Sequence, residues 1–230
     1  MEVINEFYAD SVEFRYVGTR PIITGAYIKC RTGDIVGLLG RNGAGKSTLL
    51  KILFGSIKAQ HSHILINGKR STKPYLSGKV GYLPQDSFLP SNEKVFKLIK
   101  LLVLNEAEQH ALSNDSGITP LISKRVYQLS GGERRYLEIC LLLYQPTDFL
   151  LLDEPFTGLE PLAIQRISDL IAKFADTKGF IISDHNYRDV LAIATETLLL
   201  QNGSCRRIAA PKELEFFYLP ESPDDLQGDR

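Results

Sequence analysis

The chain lacks a surplus of either charge, because 27 lysines and arginines are matched by 27 aspartates and glutamates. A nucleic-acid-binding protein would usually carry a basic excess or a basic stripe, and neither stands out, so no nucleic acid is expected as a partner. The three cysteines, Cys30, Cys140 and Cys205, are isolated and form no CxxC pair. The sequence therefore favours a reducing compartment and predicts neither a cysteine metal site nor a disulfide framework.

Long apolar runs are also missing. No run approaches the ~18 residues that a transmembrane helix needs, and the first six residues, MEVINE, show neither the basic region nor the apolar core of a signal peptide. We therefore expect a cytoplasmic chain whose role at a membrane, if it has one, comes through a partner. An apolar content of 43% over 230 residues is enough for one domain with a sizeable core and room for a subdomain.

The feature that stands out is the segment 40–48, GRNGAGKST, between the apolar segments 35–39 and 49–54. This order predicts strand, glycine loop and helix, which is the context that a phosphate-binding loop (P-loop) requires. The glycines allow a tight turn whose N–H groups face inward as an anion cradle, and the positive end of the helix points at the same place. The alternative is a glycine-rich turn with a surface lysine. We predict nucleoside triphosphate binding by Gly40, Asn42, Gly43, Ala44, Gly45, Lys46, Ser47 and Thr48, with Lys46 near the β- and γ-phosphates and Ser47 on Mg²⁺.

Two acids follow the segment 149–152, FLLL, which reads as a strand that is apolar on both faces. In an open α/β sheet, ligands lie at the edge where such strands end. Asp153 could hold Mg²⁺, usually through water, and Glu154 could orient or deprotonate an attacking water. For so short a match, a strand end with two solvated acids is the alternative.

The segment Ser130-Gly131-Gly132 stands at the start of a helix that we predict for residues 131–144. Its backbone N–H groups, with Ser130 as an added donor, would form a second anion site. Because the chain has one P-loop and no internal repeat, the economical explanation is contact with a nucleotide bound by a second copy. A Ser-Gly-Gly turn with a capping acid is the alternative.

Together, Gly40–Thr48, Gln85, Leu129–Glu133, Phe149–Pro155 and His185 resemble, in this order, the motifs of the ATP-binding cassette (ABC) ATPases. The resemblance runs from about Val12 to about Gly203. It implies an α/β fold of the P-loop ABC type, with a mostly parallel core sheet, an N-terminal antiparallel β-subdomain and a short helical subdomain. We assign residues 1–85 and 129–210 to the core, 86–128 to the helical subdomain and 211–230 to a polar tail.

The resemblance also implies ATP and Mg²⁺ as ligands and a role for each matched residue. Glu154 would be the base and His185 would contact the γ-phosphate. Tyr16 would stack on adenine, and Gln85 would join Mg²⁺ and report the nucleotide state to a partner. Ser130, Gly131 and Gly132 would close over the γ-phosphate of the opposite subunit. The alternatives are an ordinary strand tyrosine, a turn glutamine beside Pro84 and a structural histidine.

The sequence departs from the family pattern at two places. Glu160 stands where an aspartate is usual, so its contact across a dimer is in question. The segment 140–143, CLLL, stands where an arginine is common, and we expect this to loosen a surface contact. Within the helical insertion, residues from Glu93 to Leu112 are mostly helix formers. We therefore expect helical structure there, with Asn92 as N-cap. One helical face would carry Val95, Leu98, Ile99 and Leu102, and a docking surface would include Phe88, Leu89 and Phe96.

The main hypothesis is the ATPase subunit of a membrane transporter, acting with separate transmembrane permease subunits at the inner face of the membrane. Its ATPase partner would be a second copy or a homologous subunit. The segments 129–135 and 183–188 look similar to the ATPases of lipopolysaccharide export and branched-chain amino-acid import, but they fix neither substrate nor direction. The competing hypotheses are an ABC ATPase acting on ribosomes or DNA, and a nucleotide switch that barely hydrolyses. Glu154 argues against the switch.

Overall fold

The computed structural model describes residues 5–208, which form two β-sheets and six α-helices. The smaller sheet has the order β2-β1-β4-β5 and is antiparallel; it consists of β1 (Glu6–Phe14), β2 (Ile23–Arg31), β4 (His61–Ile66) and β5 (Lys69–Arg70). The larger sheet has the order β10-β9-β3-β8-β7-β6 and is parallel except at β10. Its strands are β3 (Ile35–Leu39), β6 (Val80–Leu83), β7 (Phe149–Asp153), β8 (Gly179–Ser183), β9 (Glu196–Gln201) and β10 (Ser204–Arg207). The predicted fold class is confirmed, while the proposed subdomain boundaries stay a prediction.

The central strands β3, β7 and β8 are buried along their whole length. Their side chains alternate between two apolar clusters, because successive residues of a strand point to opposite faces. Leu150 and Leu152 face one cluster, and Phe149 and Leu151 face the other. The first cluster includes α4 (Gly131–Leu143) and α5 (Pro161–Ala175), and the second includes α1 (Lys46–Phe54) and the smaller sheet. The core sheet is thus covered on both sides, as its uniformly apolar strands require.

The helical insertion contains two short helices, not one continuous run. These are α2 (Val95–Leu102) and α3 (Glu106–Ser113). The prediction of Asn92 as N-cap is wrong, because the backbone before α2 is extended and pairs with residues 124–126; Val95 N–H donates to Lys124 O at 3.0 Å and Val126 N–H donates to Glu93 O at 3.0 Å. The asparagine that does cap a helix is Asn105, whose side chain accepts hydrogen bonds from the first turn of α3.

Two further expectations are corrected by burial. Leu141 is fully buried, and its neighbours in the segment 140–143 are buried with it. The replacement of the common arginine therefore lies in the core and loosens no surface contact. Leu89 is also buried, so it does not belong to an exposed docking surface.

The carboxyl ends of parallel strands meet at one edge of a sheet. The P-loop follows β3, Gln85 follows β6, the acid pair ends β7, and His185 follows β8. The last helix, α6 (Tyr187–Ile193), begins next to this edge. Within residues 5–208, every helix is too short or too polar to cross a membrane. The predicted polar tail, 211–230, lies outside the described residues.

Candidate functional site: a nucleotide site at the sheet edge

The P-loop joins β3 to α1 through glycines in conformations that other residues rarely adopt. The φ angle is +156° at Gly40, +80° at Gly43 and +101° at Gly45. A Cβ at Gly40 would lie 2.6 Å from the carbonyl oxygen of Leu200, so a side chain there would displace the loop from β9. The first turn of α1 has no side-chain cap. Its N–H groups and its positive dipole end are therefore directed at the loop, as an anion site requires.

Lys46 is anchored within this loop. Its Nζ donates to Gly40 O at 2.7 Å and to Arg41 O at 3.3 Å, and the residue is only 7% exposed. Burial lowers the pKa of Lys46, while the nearby carboxylates of Glu154 and Asp153 oppose that shift. The site thus combines a buried cation, which favours a bound polyphosphate, with two nearby acids.

Asp153 lies beside the P-loop helix and is fully buried. Its Oδ1 accepts a hydrogen bond from Ser47 Oγ at 3.0 Å, and its Oδ2 accepts one from Tyr82 OH at 3.0 Å. Burial and the neighbouring Asp153 raise the pKa of Tyr82, so the phenol remains a donor. The predicted metal residues Ser47 and Asp153 are therefore brought together. Tyr82 was missed, although it occupies the strand next to β7 and pairs there with Leu151.

Glu154 is held between Gln85 and His185. Gln85 Nε2 donates to Glu154 Oε2 at 2.8 Å, and His185 Nε2 lies 2.7 Å from Glu154 Oε1. Glu154 is 6% exposed, whereas the His185 side chain is 43% exposed. The carboxylate is therefore sheltered, and the histidine reaches it from the solvent side.

A third acid, Asp184, holds the segment that follows Glu154-Pro155. Its carboxylate accepts hydrogen bonds from Phe156 N–H at 2.8 Å, from Thr157 Oγ1 at 3.2 Å and from Asn186 N–H at 3.0 Å. Asp184 is 1% exposed. It thereby fixes the chain after the acid pair to the loop that carries His185. Sequence reasoning missed this residue, although it directly precedes His185.

Tyr16 lies just beyond β1, next to the first turn of α1. Its OH is 3.3 Å from Thr48 Oγ1, and its ring packs edge-on against Phe14 with centroids 4.8 Å apart. The residue is 45% exposed. Tyr16 is thus outside the strand and adjacent to the P-loop helix, and its stacking on adenine stays a prediction.

Ser130 caps α4 and forms a capping box with Glu133. Glu133 N–H donates to Ser130 Oγ at 3.1 Å, and Ser130 N–H donates to Glu133 Oε2 at 2.8 Å. Ser130 Oγ accepts in this pair, so its hydroxyl hydrogen can still be donated. A Cβ at Gly131 would meet nothing within 4 Å, which leaves the backbone of this corner open to approach. The capping role and the predicted contact with a partner's nucleotide are therefore compatible, and the latter stays a prediction.

Known proteins share these features. The family model described as ABC transporter matches residues 23–157. The lipopolysaccharide export system ATP-binding protein LptB of Acidithiobacillus ferridurans is 31% identical over 214 residues, which cover 87% of this chain and 89% of that protein. LptB of Escherichia coli (strain K12) is 32% identical over 213 residues, which cover 86% and 88%.

Solved structures of ABC transporter proteins share the fold of this chain. An ATP-binding subunit of an ABC transporter superposes with a TM-score of 0.81 at 22% identity, covering 96% of this chain and 97% of that one. A bacterial Atm1-family ABC exporter with ATP bound gives a TM-score of 0.80 at 25% identity, covering 92% of this chain and 40% of that one. The chain therefore belongs to the ABC transporter family and is one of its ATP-binding, ATP-hydrolysing subunits.

Proposed function

We propose that this chain hydrolyses ATP at the P-loop with Glu154 as base, and that hydrolysis drives transport through separate transmembrane subunits at the inner face of a membrane. The observation that carries the proposal is the position of the Glu154 carboxylate, at hydrogen-bond distance from both Gln85 and His185. All three lie at the sheet edge that carries the P-loop. A sheltered carboxylate beside an anion cradle is what activation of a water next to a γ-phosphate requires.

In the proposed reaction, the oxygen of a water attacks the γ-phosphorus while the bond to the β–γ bridging oxygen breaks. The products are ADP and inorganic phosphate. Glu154 accepts the proton that the attacking water loses, and such a positioned base contributes roughly 10²–10⁴ in rate. Lys46 and the N–H groups of α1 bind the phosphates, Tyr16 stacks on adenine, and His185 contacts the γ-phosphate.

The residues at this edge also fit Mg²⁺. Ser47 and Asp153 contribute hard oxygen atoms and are already hydrogen-bonded to each other at 3.0 Å, and the amide oxygen of Gln85 is the third candidate ligand. Among the described residues, no group of three or more His, Cys, Asp or Glu side chains could form a metal cage. This agrees with an ion held largely by the nucleotide's phosphates. When bound, Mg²⁺ would neutralise phosphate charge.

We further propose that the ATP is shared between two ATPase subunits. The open corner formed by Ser130, Gly131 and Gly132 would cap the γ-phosphate held by the P-loop of a second copy or a homologous subunit. Gly132 lies near the chain after the acid pair, since a Cβ built there would be 3.5 Å from Leu159 Cδ2. The corner that would cap the partner's nucleotide therefore lies next to the segment between Glu154 and Glu160 of its own chain.

The helical insertion supplies the surface for the transmembrane subunits. Large apolar side chains are exposed there, and such patches mark interaction sites on soluble domains. They are Phe88, Phe96, Leu101, Leu104 and Tyr127. Phe88 is close in sequence to Gln85, so a partner at this surface would lie next to a residue that contacts the catalytic base.

Two substitutions test the catalytic assignment. In a phosphate-release assay on the purified protein, Glu154→Gln should lower the hydrolysis rate at least 100-fold, because the amide accepts no proton. ATP binding should persist, since the P-loop is intact.

Lys46→Ala should abolish ATP binding, measured by equilibrium dialysis.

Equal hydrolysis by Glu154→Gln and the unsubstituted protein would remove Glu154 from the mechanism. Negligible hydrolysis by both, with tight ATP binding, would instead favour the nucleotide switch. Unchanged ATP affinity in Lys46→Ala would contradict the assigned cradle.

A further inference from the structure

The guanidinium of Arg135 lies inside the protein and binds the backbone where two core strands end. Its Nη2 donates to the carbonyl oxygens of Asp153 at 2.5 Å and Glu154 at 3.0 Å, and its Nη1 donates to Pro84 O at 2.7 Å. A guanidinium offers five N–H donors in a rigid plane, so it can hold several carbonyls at once. The three carbonyls belong to the two segments that carry the base and Gln85.

The charge of Arg135 is matched by a buried carboxylate on the same helix. Arg135 is 8% exposed and Glu138 is 1% exposed, and Nη1 lies 3.3 Å from Glu138 Oε2. The other oxygen of Glu138 accepts a hydrogen bond from the Ser87 hydroxyl. Because Pro84 precedes Gln85 and Ser87 follows it, this cluster holds the Gln85 segment on both sides. Buried ion pairs require such complete hydrogen bonding.

The backbone of Glu154 depends on support of this kind. Its φ angle is +54°, in the left-handed region that residues other than glycine seldom adopt. Such conformations persist only where the surroundings fix them. Glu154 N–H donates to Ser183 O at 2.6 Å, and Glu154 O accepts from Arg135. One hydrogen bond therefore fixes the backbone on each side of the catalytic carboxylate.

Helix α4 connects Arg135 to the Ser-Gly-Gly corner, which we propose caps the partner's nucleotide. Ser130 caps the helix and Arg135 lies in its second turn, a rise of roughly 7 Å at 1.5 Å per residue. A short, capped helix moves as a unit. Any force on the Ser-Gly-Gly corner is therefore transmitted to the guanidinium.

We propose that Arg135 is a positioning residue that fixes Glu154 and Gln85 relative to α4. The helix that caps the partner's nucleotide thereby also sets the base of its own chain. This inference rests on the proposed function, because it needs Glu154 as base and two subunits sharing ATP.

The first experiment separates turnover from binding. Arg135→Gln alone leaves the Glu138 carboxylate buried without its cation, so the double variant Arg135→Gln/Glu138→Gln is made beside it. In both, kcat for ATP hydrolysis should fall at least tenfold, while the dissociation constant for ATP stays within threefold, because Arg135 contacts no P-loop residue in the described hydrogen bonds. Arg135→Lys keeps the charge but loses the planar set of N–H donors. Its kcat should lie between that of the unsubstituted protein and that of Arg135→Gln.

Arg166→Gln on the exposed side of α5 is the matched control and should leave kcat unchanged. Wild-type kcat in the double variant, or a loss that appears only in ATP affinity, would overturn the proposal. Unchanged hydrolysis in Glu154→Gln would instead remove the proposed function. The two failures are therefore distinguishable.

Mixed dimers test which chain Arg135 serves. An excess of Glu154→Gln chain added to the Arg135→Gln/Glu138→Gln chain gives pairs whose one intact base lies beside the altered Arg135. An excess of a chain carrying Glu154→Gln, Arg135→Gln and Glu138→Gln, added to the unsubstituted chain, places the altered Arg135 opposite the intact base. Relative to the unsubstituted chain with excess Glu154→Gln, the first mixture should lose at least tenfold in rate and the second should stay within threefold. The reverse result would show that Arg135 acts only on the capping corner, and would overturn the proposal.

Discussion

At the scale of single residues, the buried acids of the site differ in their partners. Asp153 faces hydroxyl donors, whereas Glu154 faces an amide and an imidazole. The hydroxyl donors of Asp153 hold in place a carboxylate that we propose as a metal ligand. The partners of Glu154 are side chains on two separate loops. A movement of the His185 loop would therefore change the surroundings of Glu154 without disturbing the hydrogen bonds of Asp153 to Ser47 and Tyr82.

A residue far from this edge gives a prediction on pH. Lys178 is buried, and its Nζ donates to Gln145 O at 2.7 Å and to Thr147 O at 2.6 Å. Burial lowers its pKa to about 8, although Asp148 and Glu108 oppose the shift and Lys79 adds to it. The unfolded lysine, with its ordinary pKa of 10.5, binds more protons than the folded one between these values. The contribution of Lys178 to the free energy of unfolding therefore rises as the pH increases from about 8 to 10.5.

The measurement is urea denaturation of the unsubstituted protein and Lys178→Met at several pH values from 7 to 10.5. The unsubstituted protein should gain stability relative to the variant across that interval. The lost hydrogen bonds add only a constant offset to the difference. A difference that does not change with pH would show that Lys178 titrates normally in the fold.

At the scale of elements, the helical insertion carries the prediction about docking. Phe88, Phe96 and Tyr27 are 39%, 37% and 41% exposed. The first two lie in the insertion and the third lies in β2, so they form a matched set. Phe88→Ser with Phe96→Ser should reduce co-purification in detergent with the proposed transmembrane subunits at least fivefold, because the interface loses its apolar anchors.

Tyr27→Ser should leave that co-purification unchanged. Intrinsic ATP hydrolysis should persist in both variants, since the three side chains are exposed and the side-chain partners of Glu154 are Gln85 and His185. Retained co-purification in the double phenylalanine variant would place the transmembrane contact elsewhere.

The helices and strands show how much of the fold can be predicted from the sequence alone. Strands β3 and β7 and helix α4 lie within one residue of their predicted bounds 35–39, 149–152 and 131–144, because apolar runs and a Ser-Gly-Gly helix start are local signals. The start of α2 at Val95, beyond the predicted cap Asn92, was not predicted, since it depends on pairing of residues 93–95 with residues 124–126. Arg135, Tyr82 and Asp184 were missed for the same reason. Arg135 and Tyr82 bind carbonyl and carboxylate oxygens, and Asp184 accepts from N–H and hydroxyl groups. Most of these partners lie far away in the sequence, and no spacing in the sequence records the contacts.

At the scale of the whole molecule, the prediction concerns assembly. Glu154→Gln should bind ATP without consuming it, so with Mg²⁺ and saturating ATP it should form dimers in light scattering and remain monomeric without nucleotide. The physical reason is that, in the proposed shared site, the Ser130 corner and the P-loop would each supply only part of the γ-phosphate's donors. The same protein carrying Lys46→Ala as well is the control and should stay monomeric.

Monomers under saturating ATP, even after addition of a homologous ATPase subunit, would contradict the shared site. Dimers formed equally well without nucleotide would show that ATP is not what joins the subunits.

The strand order of the larger sheet has a consequence for synthesis on the ribosome. Strand β3, which delivers the P-loop, is hydrogen-bonded to β8 and β9, whose residues are translated long after it. A nascent chain that has emerged only to residue 157 displays GRNGAGKST, LSGGE and the acid pair, yet its first core strand has neither neighbour. We therefore expect that nucleotide does not assist the early stages of folding, and that phosphate binding begins only when translation has passed Gln201.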